Sequence, residues 1–158
     1  MILRKHRRAL DLLTRLEKAS EEGAREARPL LDAVHLTCAL AVDKLLAKLF
    51  SDLSEDDARA LSLEEREATP QGVSAQALTY GELEFRAVAK LLRKLGPAAT
   101  SGGAFYDLGS GVGRVVFAAR LLCDFDACRG IEVLEGLHGA AEAARAAFER
   151  PGSEWQRA

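Results

Sequence analysis

Two carboxylates and a run of glycines carry the chemistry that can be read from this chain. Residues Phe105 to Val116 read Phe-Tyr-Asp-Leu-Gly-Ser-Gly-Val-Gly-Arg-Val-Val. This is an apolar stretch closing on an acid, a turn with glycine at every second position, and the first residues of a helix. Asp107, Gly109, Gly111 and Gly113 form a D-x-G-x-G-x-G pattern. Glycine lets main chain approach a bound molecule where a side chain would collide. Free N–H groups at a helix start point into the crevice beyond the carboxyl end of a strand. A second acid, Glu132, closes the segment Ala127-Cys128-Arg129-Gly130-Ile131-Glu132, which reads as the following strand. An acid about 20 residues past a glycine turn is where ribose hydroxyls bind. A carboxylate there accepts from both vicinal hydroxyls and repels a 2′-phosphate. This order of strand, acid, three glycines, helix, strand and acid points to a nucleoside-containing cofactor. A glycine-rich turn on its own would do no more than make a tight corner.

These groups must be positioned by the elements around them. A helix is expected from about Gly113 to Leu122, packing on the first strand through Val115, Val116 and Ala119. Another is expected over roughly Glu135 to Glu149, ending before Pro151-Gly152. Upstream, Thr79-Tyr80-Gly81-Glu82 precedes a helix whose apolar positions are Leu83, Val88, Leu91, Leu92 and Leu95; Gly96-Pro97 stops it, and Ser101-Gly102-Gly103 leads into the strand. The chain divides near Pro70, in the loop Thr69-Pro70-Gln71-Gly72. Before it the sequence is rich in good helix formers, with Leu3, Leu10, Leu13 and Leu16 at helical spacing. Pro29 is expected to start a new helix with a stripe of Leu31, Val34, Cys38, Val42, Leu45, Leu46 and Leu49. Ser54 before Glu55, Asp56 and Asp57 reads as an N-cap with acids in the first turn. Ser62 with Glu65 has capping-box spacing.

Composition excludes several classes. The chain has 158 residues, is 48% hydrophobic and 29% charged, and carries a net charge of −2. That length suits one domain, and the near-neutral charge gives no general pull toward nucleic acid or membrane. Cys38, Cys123 and Cys128 are odd in number and lack a C-x-x-C pair, which argues against a disulfide frame or a zinc site and for small buried side chains. His6, His35 and His138 share no metal-ligand spacing, so no metal is expected. No apolar stretch follows the basic N-terminus, so a secretory signal is not expected. Charges inside Leu30 to Phe50 argue against a membrane span.

The glycine spacing departs from the dinucleotide fingerprint G-x-G-x-x-G, because the third glycine falls one residue early, at Gly113. It resembles motif I of the class I S-adenosylmethionine methyltransferases. Tyr80-Gly81-Glu82, then Asp107-Leu108-Gly109-Ser110-Gly111-Val112-Gly113-Arg114-Val115-Val116, then Gly130-Ile131-Glu132 resemble the catalytic domain of the non-SET histone H3 lysine methyltransferases, the disruptor-of-telomeric-silencing family. The resemblance spans roughly Leu78 to Ala144. It implies an α/β fold, the N-terminal part of a Rossmann-like class I methyltransferase fold preceded by an α-helical region. It also implies S-adenosylmethionine as cofactor, a lysine of histone H3 in nucleosomes as acceptor, and a nuclear location. The organisation expected is a helical region over 1–69, a connecting loop and helix with the Tyr-Gly-Glu motif over 70–103, and the start of the cofactor domain over 104–158. By resemblance the cofactor contacts are Tyr80, Gly81, Glu82, Asp107, Gly109, Ser110, Gly111, Gly113 and Glu132. Of these, Glu82 would face the methionine part, Asp107 the amino group and Glu132 the ribose.

Each assignment has a plainer alternative. Thr79 and Glu82 have capping-box spacing, so Glu82 can serve its own helix start. Tyr80 can be a core aromatic, and Arg114 reads as an exposed helical arginine. The run Arg4-Lys5-His6-Arg7-Arg8 reads as a solvated helix end, a nuclear address or a weak contact to DNA phosphates. The family's third and fourth strands, with an Asn-Phe-Ala-Phe-like motif at the lysine channel, have no counterpart in these residues. The sequence is therefore expected to be the front part of a methyltransferase, and no catalytic residue is assigned. A class I methyltransferase acting on another protein or a small molecule, or a non-catalytic remnant of the fold, remain alternatives.

Overall fold

The computed structural model describes residues 2–68, 79–96, 99–151 and 153. The loop Thr69 to Gly72, Pro97, Gly152 and the side chains of Leu3 and Arg4 to Arg7 lie outside the described residues. Six helices and two strands follow in the order α1 (Ile2–Ala19), α2 (Glu21–Leu49), α3 (Glu55–Ala68), α4 (Phe85–Leu95), β1 (Ala104–Leu108), α5 (Arg114–Leu122), β2 (Ala127–Ile131) and α6 (Glu135–Glu149). Mixed helices and a parallel two-stranded sheet place the chain in the α/β class.

The N-terminal helices form a hairpin. Ser20 caps α2, its Oγ accepting from the Gly23 N–H at 2.9 Å, with Glu21 and Glu22 in the first turn favoured by the helix dipole. Pro29 therefore does not start a helix: α2 runs through it. Pro29 is exposed, so the carbonyl one turn back, which a proline cannot serve, is within reach of water. The earlier Ser-Glu-Glu start signal was the stronger one. From that start α1 packs back against α2, burying Ala27 and Leu31 and bringing Glu17 to Arg28 at 3.4 Å. The α2 stripe is as expected, with Cys38, Val42 and Leu46 buried.

Helix α3 opens on a reciprocal cap. Ser54 Oγ accepts from the Asp57 N–H at 3.1 Å, and Asp57 accepts from the Ser54 N–H at 2.9 Å. Ser62 and Glu65 lie inside this helix and cap nothing on it. Nor does Glu82 cap α4, which starts three residues later, at Phe85, behind Glu84 with no side-chain cap. Helix α4 buries only Val88 and Leu92; Leu83, Leu91 and Leu95 are exposed.

The two strands pair in parallel with Asp107 opposite Gly130 and Leu108 opposite Ile131. Helix α5 makes the crossover that parallel neighbours require. One sheet face, with Phe105 and Asp107, is half-buried; the other leaves Tyr106, Leu108 and Ile131 in solvent. Tyr106 there lies under the Arg129 guanidinium, its hydroxyl accepting at 2.7 Å.

A single core cluster joins both halves of the chain. Val42, Leu46 and Phe50 of the α2 end, Ala58 of α3, and Val88 and Leu92 of α4 meet Phe117, Ala118 and Ala119 of α5 and Leu137 and Ala144 of α6. Phe117 sits between Phe50, edge-on at 5.8 Å, and Phe148 at 5.3 Å. Cys38 and Cys123 are buried and Cys128 is half-buried. Among the described residues no helix is long and apolar enough to cross a membrane.

Gly23 shows which force sets the hairpin. A Cβ built there runs into the Leu16 carbonyl oxygen of α1. Helix propensity alone favours alanine over glycine by about 1 kcal/mol, whereas crowding a backbone atom costs about 1–3 kcal/mol. Gly23→Ala is therefore expected to lower the urea midpoint; a rise would show that α1 packs loosely on α2.

Candidate functional site

The site lies where β1 and β2 end side by side. After Leu108 the chain turns with three glycines at positive φ, Gly109 (+79°), Gly111 (+53°) and Gly113 (+88°), a region that side chains disfavour. The Gly109 and Ser110 N–H groups both donate to the Ile131 carbonyl, at 2.8 and 3.1 Å, extending the ladder past β1. Glu132 completes the joint. One carboxylate oxygen accepts from the Gly111 N–H at 2.7 Å, and the other from the Val133 and Leu134 N–H groups at 2.8 and 2.9 Å. A carboxylate offers about four acceptor directions, so these three bonds leave room for another donor.

The glycines do three different jobs. Gly109 has open space where a side chain would stand. At Gly111 a Cβ would run into the Tyr80 ring, and at Gly113 it would touch Ala141 and Phe117 at 3.5 Å. A fourth glycine, Gly130, was singled out only as part of a strand. It is required because Ser110 Oγ would come within 2.5 Å of its Cβ.

A cleft of about 240 Å³ opens between this joint and the segment before α4. Thr79, Tyr80 and Gly81 form one wall, Gly109, Ile131, Glu132 and Val133 the other, and Leu134 and Leu137 complete the lining. Of the residues singled out in the sequence, Tyr80, Gly81, Gly109 and Glu132 thus face one space. Ser110, Gly111 and Gly113 hold the turn from behind. Asp107 stands on β1 next to them, half-buried. Burial, and then the nearby Glu132 charge, push its carboxyl above the ordinary range.

Glu82 does not line the cleft; it turns toward the helices. Its Oε1 accepts from the Tyr80 hydroxyl at 2.5 Å and from Arg114 Nε at 2.8 Å. Burial and this acceptor push the Tyr80 phenol well above its usual value, so it stays a donor. Arg114 is not the exposed helical arginine its position suggests. Its Nη2 donates to the Leu53 carbonyl at 2.8 Å, and its guanidinium lies 4.4 Å from the Phe50 ring centre. Thr79 Oγ1 accepts from Arg66 at 3.0 Å rather than capping a helix.

One functional neighbour escaped sequence reading. The Glu65 carboxylate of α3 accepts from the Glu135 N–H at 2.7 Å and also from the Gly136 N–H, so it caps α6 from another helix. The signal available was negative: Leu134, at the N-cap position of α6, has no side chain that can accept.

A parallel αβ crossover, with its glycine turn tied down by an acid beside an open cleft, defines a partial α/β fold with a candidate site at its strand ends. Residues 67–155 match the family described as histone methylation protein DOT1, more than half of the sequence, and the chain belongs to that family. Searches of curated proteins and of solved structures return no match.

The raised Asp107 carboxyl has a consequence for folding. The folded chain holds that proton to a higher pH than the unfolded chain, whose carboxyl titrates near about 3.9. Stability therefore falls as pH rises from that value through the raised one, and the loss is complete above both. Asp107→Asn is expected to gain on the wild type across this window and keep a constant lead above it, read from urea midpoints between acid and neutral pH. A lead that is absent or reversed would mean that Asp107 is well solvated.

Proposed function

We propose that this chain binds S-adenosylmethionine in the cleft between Tyr80-Gly81 and the glycine turn, as part of a histone-lysine N-methyltransferase acting on histone H3 in nucleosomes. One observation carries the reading: the segment matching the histone methylation family is the same segment that supplies both walls of the cleft. In this reading β1–α5–β2–α6 is the opening part of a Rossmann-like class I fold, with the strand tips as cofactor site.

The residues suit such a ligand. The open space at Gly109 admits a close approach to main chain. Glu132, already orienting Gly111, keeps an acceptor direction for a ribose hydroxyl. The nearby Glu132 charge adds to the cost that burial puts on ionising Asp107, and a cationic ligand relieves that repulsion. The cofactor carries an ammonium group and a sulfonium. Tyr80, fixed by Glu82, offers a ring as a wall. A cleft of about 240 Å³ is below the roughly 300–1,000 Å³ of full small-molecule sites, so these walls would hold only part of the cofactor.

When bound, S-adenosylmethionine supplies a methyl group made electrophilic by sulfur. The residues named here bind and orient that donor, and alignment is most of what such a transfer asks of a protein. The acceptor's residues are not assigned. Membership of the histone methylation family supports histone H3 as acceptor and work in the nucleus. Arg8 is exposed on α1, and the basic run Arg4 to Arg8 is a further proposed contact to DNA phosphates.

Titration calorimetry with S-adenosylmethionine is expected to show binding that Asp107→Asn and Glu132→Gln each weaken about tenfold or more, about 1.4 kcal/mol. Labelled cofactor with nucleosomes tests the acceptor. Label in free amines or small metabolites but not in histones would favour a different class I methyltransferase. No cofactor binding at all would favour a non-catalytic remnant.

A further inference from the structure

We infer that Arg114 is a positioning residue, which fixes the Tyr80-Gly81-Glu82 wall of the cleft at a set distance from the glycine turn and anchors it to the α2–α3 corner. Where this concerns cofactor affinity it rests on the function proposed above; where it concerns the wall itself it does not.

The wall is held by a handful of side-chain contacts. Residues 79 to 84 belong to no helix or strand. The fixings that side chains give them are few: Arg66 to Thr79, Tyr80 to Glu82, and Arg114 to Glu82. Two of the three converge on the same Glu82 oxygen. If Arg114 is removed, Glu82 keeps a phenol as donor but loses its counter-charge. Both charged partners are largely withdrawn from water, with the Arg114 side chain 26% and Glu82 17% exposed. A pair so placed is unlike a surface pair, because an unmatched member is left poorly solvated.

Arg114 is also where the two walls meet. It is the first residue of α5, directly after Gly113, so its main chain belongs to the glycine turn while its side chain grips the opposite wall. Its third contact lies elsewhere again. Nη2 donates to the Leu53 carbonyl, and the guanidinium plane lies over Phe50. One planar fork thus fixes three pieces of chain separated by dozens of residues. A lysine at this position can match the charge on Glu82 but cannot also serve Leu53 and stack on the ring.

Tyr80 follows from the same clamp. Its ring occupies the space that a side chain at position 111 would need, so the ring and turn are in direct contact. The Glu82–Arg114 pair holds the phenol at the other end. Width and shape of the cleft beside Gly109 therefore depend on Arg114, although Arg114 does not line it.

The test uses the full chain and two readouts. Hydrogen exchange of the amides in residues 79–84, without cofactor, reports the wall directly. Arg114→Gln is expected to speed that exchange about tenfold or more, and Arg114→Lys by clearly less. Leu31→Ala, a buried change on α2 outside the core cluster that borders the cleft, serves as control; each protein is compared at the same interval below its own melting temperature. The control should leave exchange in 79–84 unchanged. The second readout is S-adenosylmethionine affinity by calorimetry at the same matched intervals. Arg114→Gln should weaken it about tenfold, Arg114→Lys partly restore it, and Leu31→Ala leave it alone. Should Arg114→Gln not fold, Glu82→Gln, which keeps the shape and drops the charge, is expected to speed exchange in the same segment. Unchanged exchange in 79–84, or equal changes in the control, would overturn the positioning role. A wild type that binds no S-adenosylmethionine would instead overturn the proposed function, and the exchange measurement would still decide the role of Arg114.

Discussion

The site is organised by one carboxylate that receives main-chain N–H groups from two different places. Glu132 takes one N–H from the turn after β1 and two from the segment after β2. Charge-assisted bonds of this kind are about twice as strong as neutral ones. Here they decide where the ends of two short parallel strands stand relative to each other. A sheet of two strands is marginal by itself. The joint, together with the Ile131 carbonyl that accepts from both Gly109 and Ser110, continues the pairing beyond the ladder proper. The glycines then follow: main chain bent this tightly around an acid leaves no room for a Cβ at 111, where the Tyr80 ring stands, and holds 113 at a positive φ that side chains disfavour.

A second layer of polar anchors connects elements far apart in sequence. Glu65 on α3 caps α6, and Arg114 on α5 reaches Glu82, Leu53 and Phe50. Both occupy backbone or charged groups that would otherwise be stranded at helix ends or chain turns. The helices before residue 69 therefore contribute polar contacts as well as apolar cover to the region around the cleft. The α1–α2 hairpin is tied in as well, Asp32 of α2 accepting from Arg93 of α4, while its tip is joined by Ser20 and its packing set by the missing side chain of Gly23.

Much of this was legible because it is local. The glycine periodicity, the strand-ending acids and the helices α5 and α6 follow from short spacings that the chain cannot realise in many ways. Ser54 was readable as a cap for the same reason. What escaped was long-range. A capping-box spacing at Ser62 and Glu65, or at Thr79 and Glu82, says which partners are within reach; it does not say that a partner seventy residues away is better placed. Pro29 was misjudged because proline is a strong breaker in general and a tolerable one on an exposed helix face. Leu91 and Leu95 read as apolar positions of α4 but stand in solvent, because the helix has more leucines than neighbours to bury them. Arg114 was judged by its place on a helix, whereas its role is set by a carboxylate thirty-two positions upstream. The motif residues are adjacent in the sequence, yet nothing in it says that Glu82 faces away from the space that Tyr80 and Gly81 border.

The position of Phe117 has one more implication. Its ring is wedged between an aromatic from the helical first half and another from the final helix, so the apparent seam near residue 70 is a feature of composition and not of packing. Cutting the polypeptide there would expose the oily side of α5 and leave its leading guanidinium without a ring or a carbonyl to rest on. The two segments are covalent neighbours that share one interior, and separating them would cost both their apolar cover.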